Sequence, residues 1–148
     1  PYGKLGMMTT ESPTLFHNDI HRHISQIVST RVGTTASPWL SSFQVGDLHS
    51  IAVSHGEGKF VVSEEMAEEL FANGQVAFQY ADMEVNATTD APHNPNGSSY
   101  GIEGIISKNG QILGKMGHTE RYDDYLMRNI AGEKRQNIFA NAIAYFKN

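Results

Sequence analysis

Ile112-Leu113-Gly114-Lys115-Met116-Gly117-His118-Thr119-Glu120-Arg121 decides how the rest of the chain is read. Its first residues read as a short strand and its last as the exit from that strand, so a histidine and a carboxylate two positions apart project from one face of a strand end. At a rise of about 3.3 Å per residue their Cα atoms stand roughly 6.6 Å apart, close enough for Glu120 to orient the His118 ring and raise its basicity. The pair supplies the base and the orienting group of a nucleophilic triad. The obvious nucleophile is missing, because none of the 148 residues is a cysteine. A surface histidine with a nearby carboxylate is the plainer reading of the same residues.

Just upstream, Asn109-Gly110 separates two β-favouring runs, 102–107 and 111–116, and is the strongest short hairpin signal in the chain. His118 is thereby expected at the end of a hairpin's second strand. The region from Asp82 to Ser98 holds Pro92, Pro95, Gly97 and several asparagines, which bar a central strand or a helix and predict a long loop. Before it, Val76, Phe78 and Tyr80 alternate within a strand over 75–80. Ser63 is placed to cap a helix that carries Glu64 and Glu65 in its first turn and Met66, Leu70 and Phe71 on one face, with Gly74 as its stop. A strand over 49–54 is broken by Gly56 and Gly58 and resumes over 59–62, while the β-branched run 23–32 makes another strand that Gly33 ends. Ser37-Pro38-Trp39-Leu40 starts a short helix or turn anchored by Trp39, and 9–13 is a polar turn. Beyond the motif, 132–146 reads as a closing helix with Phe139, Ile143 and Phe146 on its buried stripe.

The chain is sized for one domain, 1–148, and its balance of 39% hydrophobic and 18% charged residues is that of an ordinary globular protein. No apolar run approaches the 18 or so residues of a membrane span. A formal net charge of −5 argues against a nucleic-acid partner, which needs a basic face. Without cysteine there are no disulfides or thiolate metal sites, and without a secretory leader pattern the expected location is the cytoplasm. His17, His21 and His23 cluster beside Asp19, but only two of them share a helical face and no His-Glu-x-x-His pattern occurs, so no metal site is assigned. A first residue of Pro1 rather than Met reads as a fragment or a processed product.

Three segments, Ser54-His55-Gly56-Glu57-Gly58-Lys59-Phe60, Asn94-Pro95-Asn96-Gly97-Ser98 and Gly117-His118-Thr119-Glu120-Arg121, resemble in order and spacing the glutaminase domain of phosphoribosylformylglycinamidine synthase, a class I (triad) glutamine amidotransferase. The resemblance runs from Trp39 to Arg121, and Pro1 to Met8 is similar to the family segment that follows the nucleophile cysteine. It implies an α/β fold, the C-terminal portion of a three-layer, flavodoxin-like class I glutaminase domain with a mixed sheet. It further implies that the parent enzyme hydrolyses glutamine through a cysteine thioester, with His118 as the base and Glu120 holding its tautomer. Ser54 and His55 would help hold the α-amino and α-carboxylate groups of glutamine. The implied partners are glutamine, an upstream nucleophile-bearing half of the domain, and a synthetase domain of the same polypeptide. That synthetase uses ATP and magnesium, and the ammonia, to convert formylglycinamide ribonucleotide to its amidine; no cofactor is implied for this chain. Lacking a thiol, the chain alone is expected to be inactive. Thr119 stands where the family commonly has proline, a departure that bears on turn rigidity more than on the chemistry.

Two other readings remain open on sequence. Gly97-Ser98-Ser99-Tyr100-Gly101 fits the G-x-S-x-G pattern of a serine nucleophile elbow, which would make Ser99 the nucleophile of a hydrolase. An elbow needs a strand before the serine and a helix after it, whereas the prolines precede it and a strand pattern follows. The other is a non-catalytic domain kept for assembly or regulation. Gly56 and Gly58 either let the backbone approach a small ligand or only form a bulge; their spacing does not make a nucleotide phosphate loop.

Overall fold

β-Branched residues set the long strands. In the computed structural model, which describes residues 12–147, Ile24–Val32 forms a nine-residue strand, β2, whose Ile24, Val28, Thr30 and Val32 are buried. A short strand, β1 (Thr14–Phe16), precedes it. The stretch 1–8, likened above to the segment after a nucleophile, lies outside the described residues, as does the start of the polar turn at 9–13.

β2 pairs along eight positions with β3 (Leu48–His55), from Ile24 opposite His55 to Arg31 opposite Leu48. On its other side it pairs with β5 (Val76–Tyr80), which pairs with β6 (Ile102–Ile106), and β6 pairs with β7 (Leu113–Lys115). The order is β3-β2-β5-β6-β7, and a separate two-stranded sheet joins β1 to β4 (Lys59–Val61). Every pairing among the described residues is antiparallel, so the mixed character implied for the whole sheet is not carried by these strands.

The five-stranded sheet curls. The segment leaving β7 comes round to β3, where the His118 amide donates to the Ala52 carbonyl at 2.8 Å and the two residues form an isolated bridge. The first and last strands of the sheet thus meet at His118.

β5 is the middle of this arrangement and is covered on both faces. Val76, Ala77, Phe78 and Tyr80 are all buried, so the alternation expected of a half-exposed strand does not hold there. Each serves a different part of the core: Phe78 and Ala77 pack with Val32, Leu40, Ile106 and Ile138, Tyr80 with Ile24, Val28 and Val53, and Val76 with Phe60, Leu70 and Ile102.

α1 (Glu64–Ala72) begins where expected. The Ser63 hydroxyl accepts from the Met66 amide, Glu64 and Glu65 occupy the first turn, and Gly74 takes a φ of +62° after the end. Its buried residues are Ala67 and Leu70, while Phe71 is exposed.

The hairpin has a longer loop than a two-residue Asn-Gly turn. Its last bonds run from Ser107 N–H to Ile112 C=O and from Gly110 N–H to Ser107 C=O, because the tip is docked elsewhere. The Ser37 hydroxyl donates to the Gly110 carbonyl at 2.7 Å and the Trp39 indole to the Gln111 carbonyl at 2.8 Å.

The closing helix, α2, covers only Ile138–Phe146, packs on the short 3-10 turn Pro38–Leu40, and buries Ile138 and Ala142. Phe139, Ile143 and Phe146 are each about half exposed, so the buried stripe lies one position away from the expected one. The chain before α2 is held by other bonds: the Ser50 amide donates to the Glu133 carbonyl, and Gly132 has a φ of +90°.

Candidate active site

His118 stands two residues past Met116, whose amide donates to the Glu103 carbonyl, at the entry of the 3-10 turn Thr119–Arg121. The expected strand geometry is replaced by this turn, and the turn brings the two side chains closer than an extended strand would. His118 Nδ1 lies 2.6 Å from Glu120 Oε1. Burial alone would push the Glu120 carboxyl up. Its own backbone N–H, the bond from His118, and the charges of His118 and Arg121 outweigh that and hold it below the usual carboxylate range. Glu120 is therefore ionised at neutral pH and can only accept, so Nδ1 carries the proton, and in the neutral ring the lone pair is on Nε2. That is the tautomer a general base needs.

The ring borders a cavity of about 390 Å³ lined by Trp39, the 113–120 segment, Ile138 and Phe139. Through the Ala52 bridge it also stands beside the end of β3, which carries Ser54 and His55. The structure thus brings the four candidate residues to one corner, with different immediate partners. The Ser54 hydroxyl lies 3.3 Å from His23 Nε2. His55 Nδ1 lies 3.1 Å from Asn18 Oδ1, and its ring fills the space where a side chain on Gly58 would go. Since Asn18 offers an oxygen, His55 Nδ1 donates, and its Nε2 is a buried acceptor with no partner.

Asn18, which nothing in the sequence marks, organises the loop after β3. It is fully buried; its amide donates to the Arg22 and His55 carbonyls at 2.9 and 2.7 Å, and its oxygen accepts from the Gly58 amide as well as from His55. The long loop braces the same turn: Asn96 donates to the Gly58 carbonyl at 2.6 Å and to the Tyr80 hydroxyl, and the Ser98 hydroxyl accepts from the Phe60 amide. The Asn-Pro-Asn-Gly-Ser motif is a scaffold for the Ser54–Lys59 segment.

Ser99 has no such company. It opens a 3-10 turn packed against β4 and β5, with a loop before it and β6 after it, whereas the His118 turn lies against β3. The strand-serine-helix arrangement of an elbow is not formed. His17 meets Glu57 at 3.5 Å and Asp19 meets Lys59 at 2.5 Å, and no group of three side chains suited to a metal ion is gathered among the described residues.

Burial pushes His55 below its ordinary value of 6.5; a bond involving its own backbone opposes this, and His23 and His118 add to it. Burial likewise lowers His49, against the charges of Asp47 and Glu133. Both bases bind a proton less readily folded than unfolded. Their contribution to stability is therefore whole above about pH 6.5 and is lost as the pH falls below it, before the carboxylates protonate. Urea midpoints should be lower at pH 5.5 than at 7.5, and His49→Gln with His55→Gln should flatten that slope; an unchanged midpoint would contradict it.

The whole stretch 1–146 matches the CobB/CobQ-like glutamine amidotransferase domain. The chain belongs to that family. Among curated relatives of this glutamine amidotransferase chain, phosphoribosylformylglycinamidine synthase subunit PurQ of Chlorobaculum tepidum is 37% identical over 128 residues, covering 86% of this chain and 54% of the relative. The subunit PurQ of Methanosarcina acetivorans is 38% identical over 104 residues, covering 70% and 44%. The chain spans about half the length of the curated relatives it matches. A chain in the structure of PurLQS from Thermotoga maritima overlays 96% of this amidotransferase chain, and 57% of its own length, with a TM-score of 0.67 at 24% identity. The α/β glutaminase fold read from the sequence is thus the fold of this chain.

Proposed function

We propose that this chain is part of the glutaminase domain of phosphoribosylformylglycinamidine synthase and supplies the base half of its Cys-His-Glu triad. The observation that carries the reading is the 2.6 Å contact between His118 Nδ1 and Glu120, in a turn whose backbone is bridged to Ala52 of β3. The nucleophile is a cysteine outside these 148 residues. His118 Nε2 takes the thiol proton, and the thiolate adds to the side-chain amide carbon of glutamine. The tetrahedral intermediate collapses by breaking the C–N bond, with the proton on Nε2 passing to the departing ammonia. Water then hydrolyses the thioester to glutamate, His118 again serving as base, and the thiol is restored. Glu120 holds the Nδ1–H tautomer and stabilises the imidazolium formed in each half.

Glutamine lies along the end of β3, with Ser54 and His55 on the side of its α-amino and α-carboxylate groups. The His55 ring is itself held by Asn18 and buried at Nε2, so His55 acts by shaping the β3 end against which glutamine lies. The ammonia goes to a synthetase that uses ATP and magnesium to make formylglycinamidine ribonucleotide, in the cytoplasm. This chain itself then needs neither metal nor cofactor, and 1–148 is one portion of a single domain.

Purified 148-residue protein should release no ammonia from glutamine above the uncatalysed rate, while the enzyme that joins it to its cysteine-bearing segment should. Glutaminase activity from the pure chain would overturn the assignment of the nucleophile.

A further inference from the structure

Two charged side chains behind the His118 turn have no part in the chemistry above. Glu103, on β6, is fully buried, and Lys115, at the end of β7, is nearly so; Nζ and Oε1 are 3.7 Å apart. Taking both charges out of water is costly, and an apolar pair of similar volume often serves stability as well or better. The Phe78 ring, 5.0 Å below Nζ, also shows that the surroundings accept an apolar side chain.

What an apolar pair could not do is hold the backbone of the turn. Glu103 Oε1 accepts from the Gly117 N–H. Lys115 Nζ donates to the Gly117 carbonyl at 3.1 Å, to the Thr119 hydroxyl at 3.2 Å and to Gln136 Oε1 at 3.0 Å. Thr119 closes the set by donating its own hydroxyl to Gln136 Oε1 at 2.8 Å. Both polar groups of the residue before His118 are thus bound by opposite charges, and the residue after it is tied to the same cation. The fit leaves no slack: a Cβ on Gly117 would sit 2.6 Å from Ile51 and 2.8 Å from Glu103. With the His118 amide fixed on Ala52, residues 117, 118 and 119 are each tethered.

We propose that Lys115 and Glu103 are positioning residues, a buried ion pair that clamps the 117–119 backbone so that His118 Nδ1 meets Glu120. In this chain the Thr119 hydroxyl and the clamp supply the rigidity that a proline at 119 would give. The functional meaning of the clamp rests on the reading of His118 as the base; the clamp itself rests on the contacts alone.

The test reads the His118 ring by NMR on protein labelled with ¹⁵N-histidine, which requires no activity. The native protein should show a slowly exchanging His118 Nδ1–H proton and ¹⁵N shifts of a single tautomer. Lys115→Met leaves Glu103 buried and unpaired, so the informative variant is Lys115→Met with Glu103→Gln, which removes both charges. It should recover most of the thermal stability lost in the single variant, yet exchange its His118 Nδ1–H at least about tenfold faster and show mixed tautomers. Thr119→Val, which removes one tether and no charge, should do the same with smaller amplitude, and it decides the matter if the charge-free pair does not fold. A native His118 signal in these folded variants would overturn the proposal. Failure of the glutaminase reading is separate, because it would appear as His118→Ala retaining glutamine-dependent activity with the NMR result unchanged.

Discussion

His118→Ala, made in the complete cysteine-bearing enzyme, is expected to lower glutamine-dependent product formation by about 10³-fold or more and to leave synthesis from added ammonium salts largely intact. The loss is large because His118 acts twice, on the thiol and on the leaving nitrogen. His55 stands at the same corner but is no substitute, because its Nδ1 is engaged by Asn18 and its Nε2 is buried. Glu120→Gln should cost less, roughly 10²-fold, since an amide oxygen can still accept from Nδ1–H but carries no charge to stabilise the imidazolium. Assays run side by side with glutamine and with ammonium chloride give the result directly. Equal loss of both activities in His118→Ala would make the residue structural, because a disturbed fold has no reason to spare the ammonium route.

Local signals in the sequence were strong where one residue type forces one backbone shape. Ser63 with two glutamates behind it could only open a helix, and α1 starts at Glu64. The prolines and asparagines of 82–98 ruled out regular structure, and 109–110 turned a hairpin. His118 and Glu120 were legible for the same reason, since two positions is a short distance in any backbone. The geometry that joins them was not legible: a 3-10 turn replaces the strand end because Met116 and His118 are claimed by different neighbours, the Glu103 carbonyl and the Ala52 carbonyl. The closing helix is shorter than its pattern suggests for a related reason. Gln136 looks like a surface residue in a helical pattern, yet it is buried and accepts from Lys115 and Thr119, and meeting that partner delays the helix to Ile138. The Phe139, Ile143, Phe146 stripe has ideal spacing, but α2 docks through Ile138 and Ala142, with Asn141 donating to the Trp39 carbonyl at 3.0 Å. Asn18 gave no signal at all. An asparagine between His17 and Asp19 is ordinary in a polar stretch, and only partners some forty positions away make it a core residue.

Those partners give a large expected stability effect. Asn18→Leu keeps the branched shape and removes four hydrogen bonds at once, leaving the Gly58 N–H, the His55 ring N–H and the Arg22 and His55 carbonyls without their partner. An orphaned buried group costs about 1–3 kcal/mol, and some of these would find water as the loop loosens, so a loss of roughly 3 kcal/mol is expected. Urea denaturation measures it. Asn18→Asp separates the donors from the acceptor: it keeps the oxygen that receives from Gly58 and His55 but cannot donate to the two carbonyls. The new carboxylate favours a protonated His55, so the cost of Asn18→Asp should shrink as the pH is lowered from 7.5 to 5.5, whereas the cost of Asn18→Leu has no such charge to reduce it. A loss below about 0.5 kcal/mol for Asn18→Leu, the range of an ordinary surface substitution, would mean that the Ser54–Lys59 turn is held by Asn96 and Ser98 without Asn18.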